Sequence, residues 1–244
     1  MIATKPNHIL RLLEQEYGPV AWEARYDPIS ELVFTVLSQH TSDLNSEKAY
    51  GRLAATFDDW DAVAQASTTA IAKPIEIGGL AQTKAPRIKA ILQKIIELRG
   101  SLDIDFLKDI PLAESKYWLN QLPGVGPKTA AVVLCFAFGL PAMPVDTHVH
   151  RLAKRLGFIS LKTTAEQAHD LLEQVIEPDK IFAFHVYLIT HGRRICKALR
   201  PMCEKCPLES KCPSSIIRHT KNPNAKNHSN IRSIGKYHIE PEGG

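Results

Sequence analysis

Residues 119–139 read LNQLPGVGPKTAAVVLCFAFG, and the organisation of the whole chain can be worked outward from them. A helix ending near Leu122 meets Pro123 and then Gly124-Val125-Gly126. A second helix starts at Pro127, where a missing N–H is no loss. Two glycines permit a tight turn whose backbone another group can approach closely. The free N–H groups of the next helix, aided by its dipole, then face whatever anion arrives. Val125, between the glycines, is expected to pack inward and hold the turn. A lone Gly-x-Gly would equally suit a plain corner between two helices. LPGVGPKTA as a whole is the pattern of a helix–hairpin–helix, which grips DNA phosphates without reading sequence.

The flanking sequence is helical in period. In PISELVFTVLSQ, Ile29, Leu32, Val33, Val36 and Leu37 recur at one helix face, with Asp27 and Pro28 at the N-cap and first helical position. TKAPRIKAILQKIIELRG repeats this with Ile88, Ile91, Leu92 and Ile95, and Gly100 is its stop. Thr164 and Gln167 form a capping-box pattern before AHDLLEQVI, and DKIFAFHVYLITHG reads as a helix buried on most sides. No strand alternation stands out. The expected class is all-α, with short connections between helices.

Composition sets outer bounds. With 44% hydrophobic and 23% charged residues, the 244-residue chain has the balance of a soluble globular protein. The apolar run at 130–143 is broken by Gly139 and Pro141 and is too short to cross a bilayer. The polar N-terminus argues against a signal peptide, so a cytoplasmic monomer is expected, nucleoid-associated if the source is prokaryotic. The net charge of +4 is unevenly placed: from Arg193 to Lys236 the only acids are Glu204 and Glu209. Such a block suits a polyanion or a solubilising surface. Residues 214–244 read as a basic, disordered tail.

Four of the five cysteines, Cys196, Cys203, Cys206 and Cys212, have the spacing C-x6-C-x2-C-x5-C. One short loop supplying four thiolates suits an iron–sulfur cluster, and four tetrahedral thiolates also suit zinc. Zinc modules usually carry two CxxC knuckles, whereas this loop has one, flanked by single cysteines. Cys135, alone in an apolar run, reads as core. Lys128 sits in the first turn of the helix after the hairpin, where the dipole disfavours a cation. That field with partial burial would favour the neutral amine a Schiff-base nucleophile needs, although a simple phosphate contact is the plainer role. Asp146, in PVDTHVHRLAKRLGF, stands where an N-cap belongs and is also a candidate proton relay and electrostatic stabiliser.

LPGVGPKTA, VDTHVHRLAKRLG and HGRRICKALRPMCEKCPLESKC together resemble the endonuclease III family of DNA glycosylases, in the same order, over about residues 28–213. The resemblance implies two helical lobes flanking a DNA groove. One is a six-helix barrel at 29–140 with the hairpin near 117–139; the other is a discontinuous cluster lobe of 1–28 and 141–213. It implies one [4Fe–4S] cluster on the four cysteines and, as partner, double-stranded DNA with a damaged base or abasic site. It implies glycosylase and AP lyase chemistry on oxidised pyrimidines in base-excision repair, with Lys128 attacking C1′ and Asp146 assisting. Gly124, Val125 and Gly126 would hold phosphate, Leu80 would wedge into the base stack, and His148 would contact DNA near the lesion. Arg193, Lys197 and Arg200 on the cysteine loop would face the backbone.

One position departs from the family. His40, in LSQHTSD, stands where many members have a glutamine that fills the gap left by the flipped nucleotide, and Gln39 could substitute if the backbone is shifted by one residue. Imidazole and amide differ in hydrogen-bonding capacity, so the preferred lesion and opposite base are open. The competing functions are a relative acting mainly as an AP lyase and a non-catalytic cluster-containing DNA-binding protein. The second would be marked by loss of Lys128 or Asp146, and both are present.

Overall fold

The computed structural model describes residues 5–215, so the tail expected at 214–244 lies, beyond Ser215, outside the described residues. Among the described residues there are eleven α-helices and no strand. They are α1 (Pro6–Tyr17), α2 (Pro28–Ser38), α3 (Asp43–Thr56), α4 (Trp60–Gln65), α5 (Thr68–Ile75), α6 (Ala81–Arg99), α7 (Leu112–Asn120), α8 (Pro127–Phe138), α9 (Thr147–Leu156), α10 (Ala165–Val175) and α11 (Ile181–Arg194). The all-α class stands.

Local signals set the helix ends. The Asp27 carboxylate accepts from the N–H groups of Ile29 and Ser30, at 3.1 and 3.0 Å. At α10 both halves of the capping box form: Gln167 N–H reaches Thr164 Oγ1 at 3.2 Å, and Gln167 Oε1 accepts from Thr164 N–H at 3.0 Å. Caps of this kind are worth about 1 kcal/mol each. Gly100 closes α6 at φ 78°.

Packing corrects one reading. α2 is buried on every side: besides the expected stripe, Ser30, Glu31, Phe34 and Thr35 are buried too. It packs against α3, α6 and α8, which leaves it no solvent face. Burial raises the pKa of Glu31, and the Arg25 guanidinium beside it counters that shift. Arg25 also lies 4.3 Å above the Phe34 ring and 5.0 Å from that of Phe136, so its charge sits among aromatic faces.

Two hydrophobic cores result. The first is built from α2 to α8 and includes Leu32, Ile88, Ile91, Leu119, Val125 and Leu134. The second joins α1 to α9–α11 through Ile9, Leu13, Val149, Leu152, Phe184 and Leu188. The boundary falls inside α8, where Leu134 belongs to the first core and Cys135 to the second. The last turns of α8 therefore anchor its N-terminus to both cores.

Candidate nucleic-acid interface and catalytic site

The hairpin has the expected form. α7 ends at Asn120, two residues early, and Val125 N–H bonds back to Leu122 O at 3.1 Å. Val125 is 5% exposed, so it does pack inward. The two glycines serve different needs. Gly124 has φ 73°, and a Cβ there would stand 2.7 Å from Arg87 Nε, so the fold itself requires glycine. Gly126 has φ −104°, and a Cβ on it would meet nothing within 4 Å. Nothing inside the protein asks for glycine at 126; it leaves the outer face of the turn clear beside the N-terminus of α8.

Lys128 is on the first turn of α8 and is exposed, not partly buried as expected. Asp146 caps α9, with Oδ1 accepting from Val149 N–H at 2.7 Å. A residue the sequence did not single out feels both of these groups. His185 on α11 is buried, and its Nδ1 bonds Pro144 O at 2.9 Å. Burial pulls its pKa down to about 4, the Asp146 carboxylate opposes that shift, and Lys128 adds to it. His185 is therefore neutral at pH 7 and within electrostatic reach of both candidate catalytic groups.

Gln39 points into the protein: Oε1 accepts from Arg87 Nη1 at 2.8 Å, and Nε2 donates to Thr129 Oγ1 at 3.4 Å. It ties the end of α2 to Arg87, which lies against Gly124, and to the residue after Lys128. His40 is exposed, with φ 54°. Leu80 is 55% exposed, with φ 53°. Among the described residues these are the two non-glycine residues with positive φ, a conformation costing about 1–3 kcal/mol and typical of functional positions.

The four cysteines line one cavity of about 710 Å³ after α11, together with Arg155 and Met202. Among the described residues no three His, Cys, Asp or Glu side chains form a metal-ion site. Burial pushes the Cys206 thiol up to about 12 and that of Cys212 to about 11, the neighbouring cysteines adding to it. Four thiolates in such a pocket need a cationic partner. Arg155 Nη1 donates to Cys196 Sγ at 3.2 Å, and His191 Nε2 lies 3.4 Å from Cys206 Sγ. His191 is held neutral by burial, its pKa about 4, and its Nδ1 lies 2.8 Å from the Tyr17 hydroxyl.

Of the basic residues expected on the cysteine loop, Arg193 lies instead in the last turn of α11. Lys197 and Arg200 are exposed. Arg193 is engaged with Asp43 of α3, at 2.6 and 3.3 Å, a tie between the two cores that the sequence did not reveal. His148 is held at Nδ1 by Arg151 Nη2 at 3.1 Å, and Arg151 also reaches the Cys196 and Gly192 carbonyls. A Cβ on Gly192 would come within 2.9 Å of His148 Nδ1, so glycine lets α11 pass close to α9. The HG doublet in a helical run was the available signal for that approach.

Residues 33–178 match the HhH-GPD superfamily of base excision DNA repair proteins. The chain is 37% identical over 186 residues to endonuclease III of Thermotoga maritima, covering 76% of this chain and 83% of that protein. The chain belongs to the endonuclease III family. Endonuclease III of Synechocystis is 33% identical over 213 residues, 86% of this chain and 93% of its own. A solved structure of a trapped endonuclease III–DNA covalent intermediate superposes with a TM-score of 0.74 at 28% identity, covering 88% of this chain and 98% of that one. Among the described residues no helix is long and apolar enough to cross a membrane.

Proposed function

We propose that this endonuclease III family member is a bifunctional DNA glycosylase and AP lyase that removes oxidised pyrimidines from duplex DNA, with Lys128 as nucleophile. The observation that carries the reading is an exposed lysine on the helix turn that follows a phosphate-ready hairpin, with the helix-capping carboxylate of Asp146 acting electrostatically on the same buried His185 as that lysine. A relative caught as a covalent intermediate with DNA supports it.

Gly124, Val125 and Gly126 would seat a phosphate at the α8 N-terminus, setting register without reading sequence. Leu80 and His40 would enter the stack as the damaged nucleotide turns out. The Lys128 amine then attacks C1′ as the glycosidic bond breaks. The base leaves with the bonding pair and takes up a proton. Asp146 stabilises the positive charge that develops on the sugar and accepts the proton lost from the amine. Ring opening gives an imine to Lys128, and loss of a C2′ proton expels the 3′ phosphate. Because Lys128 is exposed in the protein alone, the dry surroundings this amine needs would come from the bound DNA.

Cys196, Cys203, Cys206 and Cys212 would hold one [4Fe–4S] cluster, which supplies a covalent cross-link for the loop carrying Lys197 and Arg200 and takes no part in bond breaking. Four cysteines spread around a cavity favour this over a single zinc ion. Native protein should be coloured and contain iron; colourless, zinc-loaded protein would sink this assignment. The two cores support lobes of 29–140 and of 1–28 with 141–213, DNA lying between them.

The test is excision from duplexes carrying thymine glycol, 5-hydroxycytosine, dihydrouracil, uracil, G·T or an abasic site. Release of the oxidised pyrimidines, followed by strand cleavage, is the expected result. Cleavage at the abasic site alone would turn the reading to an AP lyase whose base specificity has been altered at His40.

A further inference from the structure

The strain at His40 and Leu80 must be held by something, and the exposed loops that carry them do not hold it alone. The segments that carry both are joined by one side chain, Lys84, which lies in the first turns of α6 and is 2% exposed. Its ammonium donates to Leu37 O at 2.7 Å, to Thr41 Oγ1 at 2.6 Å and to Gly78 O at 3.1 Å. Thr41 Oγ1 in turn donates to Gly78 O at 2.5 Å. The three acceptors belong to the last turn of α2, to the residue after His40 and to the residue two before Leu80. No carboxylate accepts from Lys84 among the described residues.

A buried ammonium without a counter-ion is a costly choice for packing alone. Burial does lower its pKa. The α2 carbonyl it meets belongs to a helix C-terminus, where a cation is favoured. An apolar side chain would fill the same space at less cost but could not join the two loops.

We infer that Lys84 is a positioning residue that couples the two strained residues, so that His40 and Leu80 enter the duplex as a preset pair. This rests on the glycosylase reading above. A clamp of this kind matters when a paired base must be displaced and matters little when the base is already unpaired. A purely structural staple would show no such difference.

The test compares single-turnover excision of one lesion placed in a paired duplex or in an unpaired bulge, using the full chain. Lys84→Met should lose about tenfold or more on the paired lesion and less than about threefold on the unpaired one, tenfold being about 1.4 kcal/mol. Thr41→Val, which keeps the lysine and removes the hydroxyl bridge, should show the same split to a smaller degree, and it decides the matter alone if Lys84→Met does not fold. In both variants, amide hydrogen exchange should quicken at residues 39–42 and 78–82. Equal losses on the two substrates, or no loss, would overturn the clamp. Wild-type protein inert on both would overturn the glycosylase reading and the clamp with it, a result separable from equal loss by an active enzyme.

Discussion

Lys128→Gln should abolish borohydride trapping on abasic-site DNA, lower strand cleavage by ~10³-fold or more and leave the protein at least as stable as before. The three parts share one cause. Lys128 is exposed and does not contribute to either core, so its removal leaves no cavity and strands no buried group. A cation in the first turn of α8 opposes the helix dipole, so a neutral amide there should gain about 0.3–1 kcal/mol. Affinity for DNA should fall by only a few fold, because one phosphate-facing charge is lost while the hairpin is kept. A melting curve, a gel-shift titration and a trapping assay on one preparation check all three. Trapping at wild-type levels would refute the nucleophile assignment. A variant both dead and destabilised would show that Lys128 is built into the fold in a way its exposure contradicts. Stability given up for chemistry is the expected pattern at an active site.

The sequence disclosed what is local. Helix ends came from Asp27, Thr164 with Gln167, and Gly100, each acting within a few residues of itself. The hairpin was legible because Val125 and Gly124 answer to the turn they form. What stayed hidden depends on partners distant in the chain. Glu31 lies off the apolar stripe of α2, and only the packing of that helix against three others, with Arg25 beside it, accounts for a buried carboxylate. Nothing near Lys84 in sequence marks it as buried, because its acceptors lie on α2 and on two loops. Arg193 was expected at DNA and is paired with Asp43, 150 residues away in sequence. His185 had no distinguishing context, since a histidine in an apolar helical run is usually a satisfied core residue; it is one, and the charges of Asp146 and Lys128 also act on it. At the Gln39–His40 pair, sequence left two registers possible. The structure ties Gln39 to Arg87 and Thr129 and leaves His40 exposed, contacts that depend on residues distant in the chain.

Asp146 has a demonstrated structural role, so its chemical role has to be separated from it, and the choice of substitution does this. Asparagine caps helices about as well as aspartate, whereas alanine does not. Asp146→Asn should therefore keep the bond from Val149 N–H and lose only the charge, for a change in stability within about 1 kcal/mol. Asp146→Ala should lose the cap as well, at a cost of about 1 kcal/mol or somewhat more. If capping were the whole function, Asn would be active and Ala impaired in proportion to its instability. If the carboxylate works at the sugar, both variants should turn over ~10²–10⁴-fold more slowly, whatever their stability. The surroundings favour the second outcome. The Asp146 charge is felt by Arg151, by Arg193 and by the neutral His185, so it stands in an organised electrostatic setting that a cap alone would not need. Borohydride trapping adds a further separation. Lys128 is intact in Asp146→Asn, so the covalent adduct should still form on abasic DNA, more slowly than in wild type, while base release falls the most. Wild-type turnover by Asp146→Asn would leave this residue its cap and nothing more.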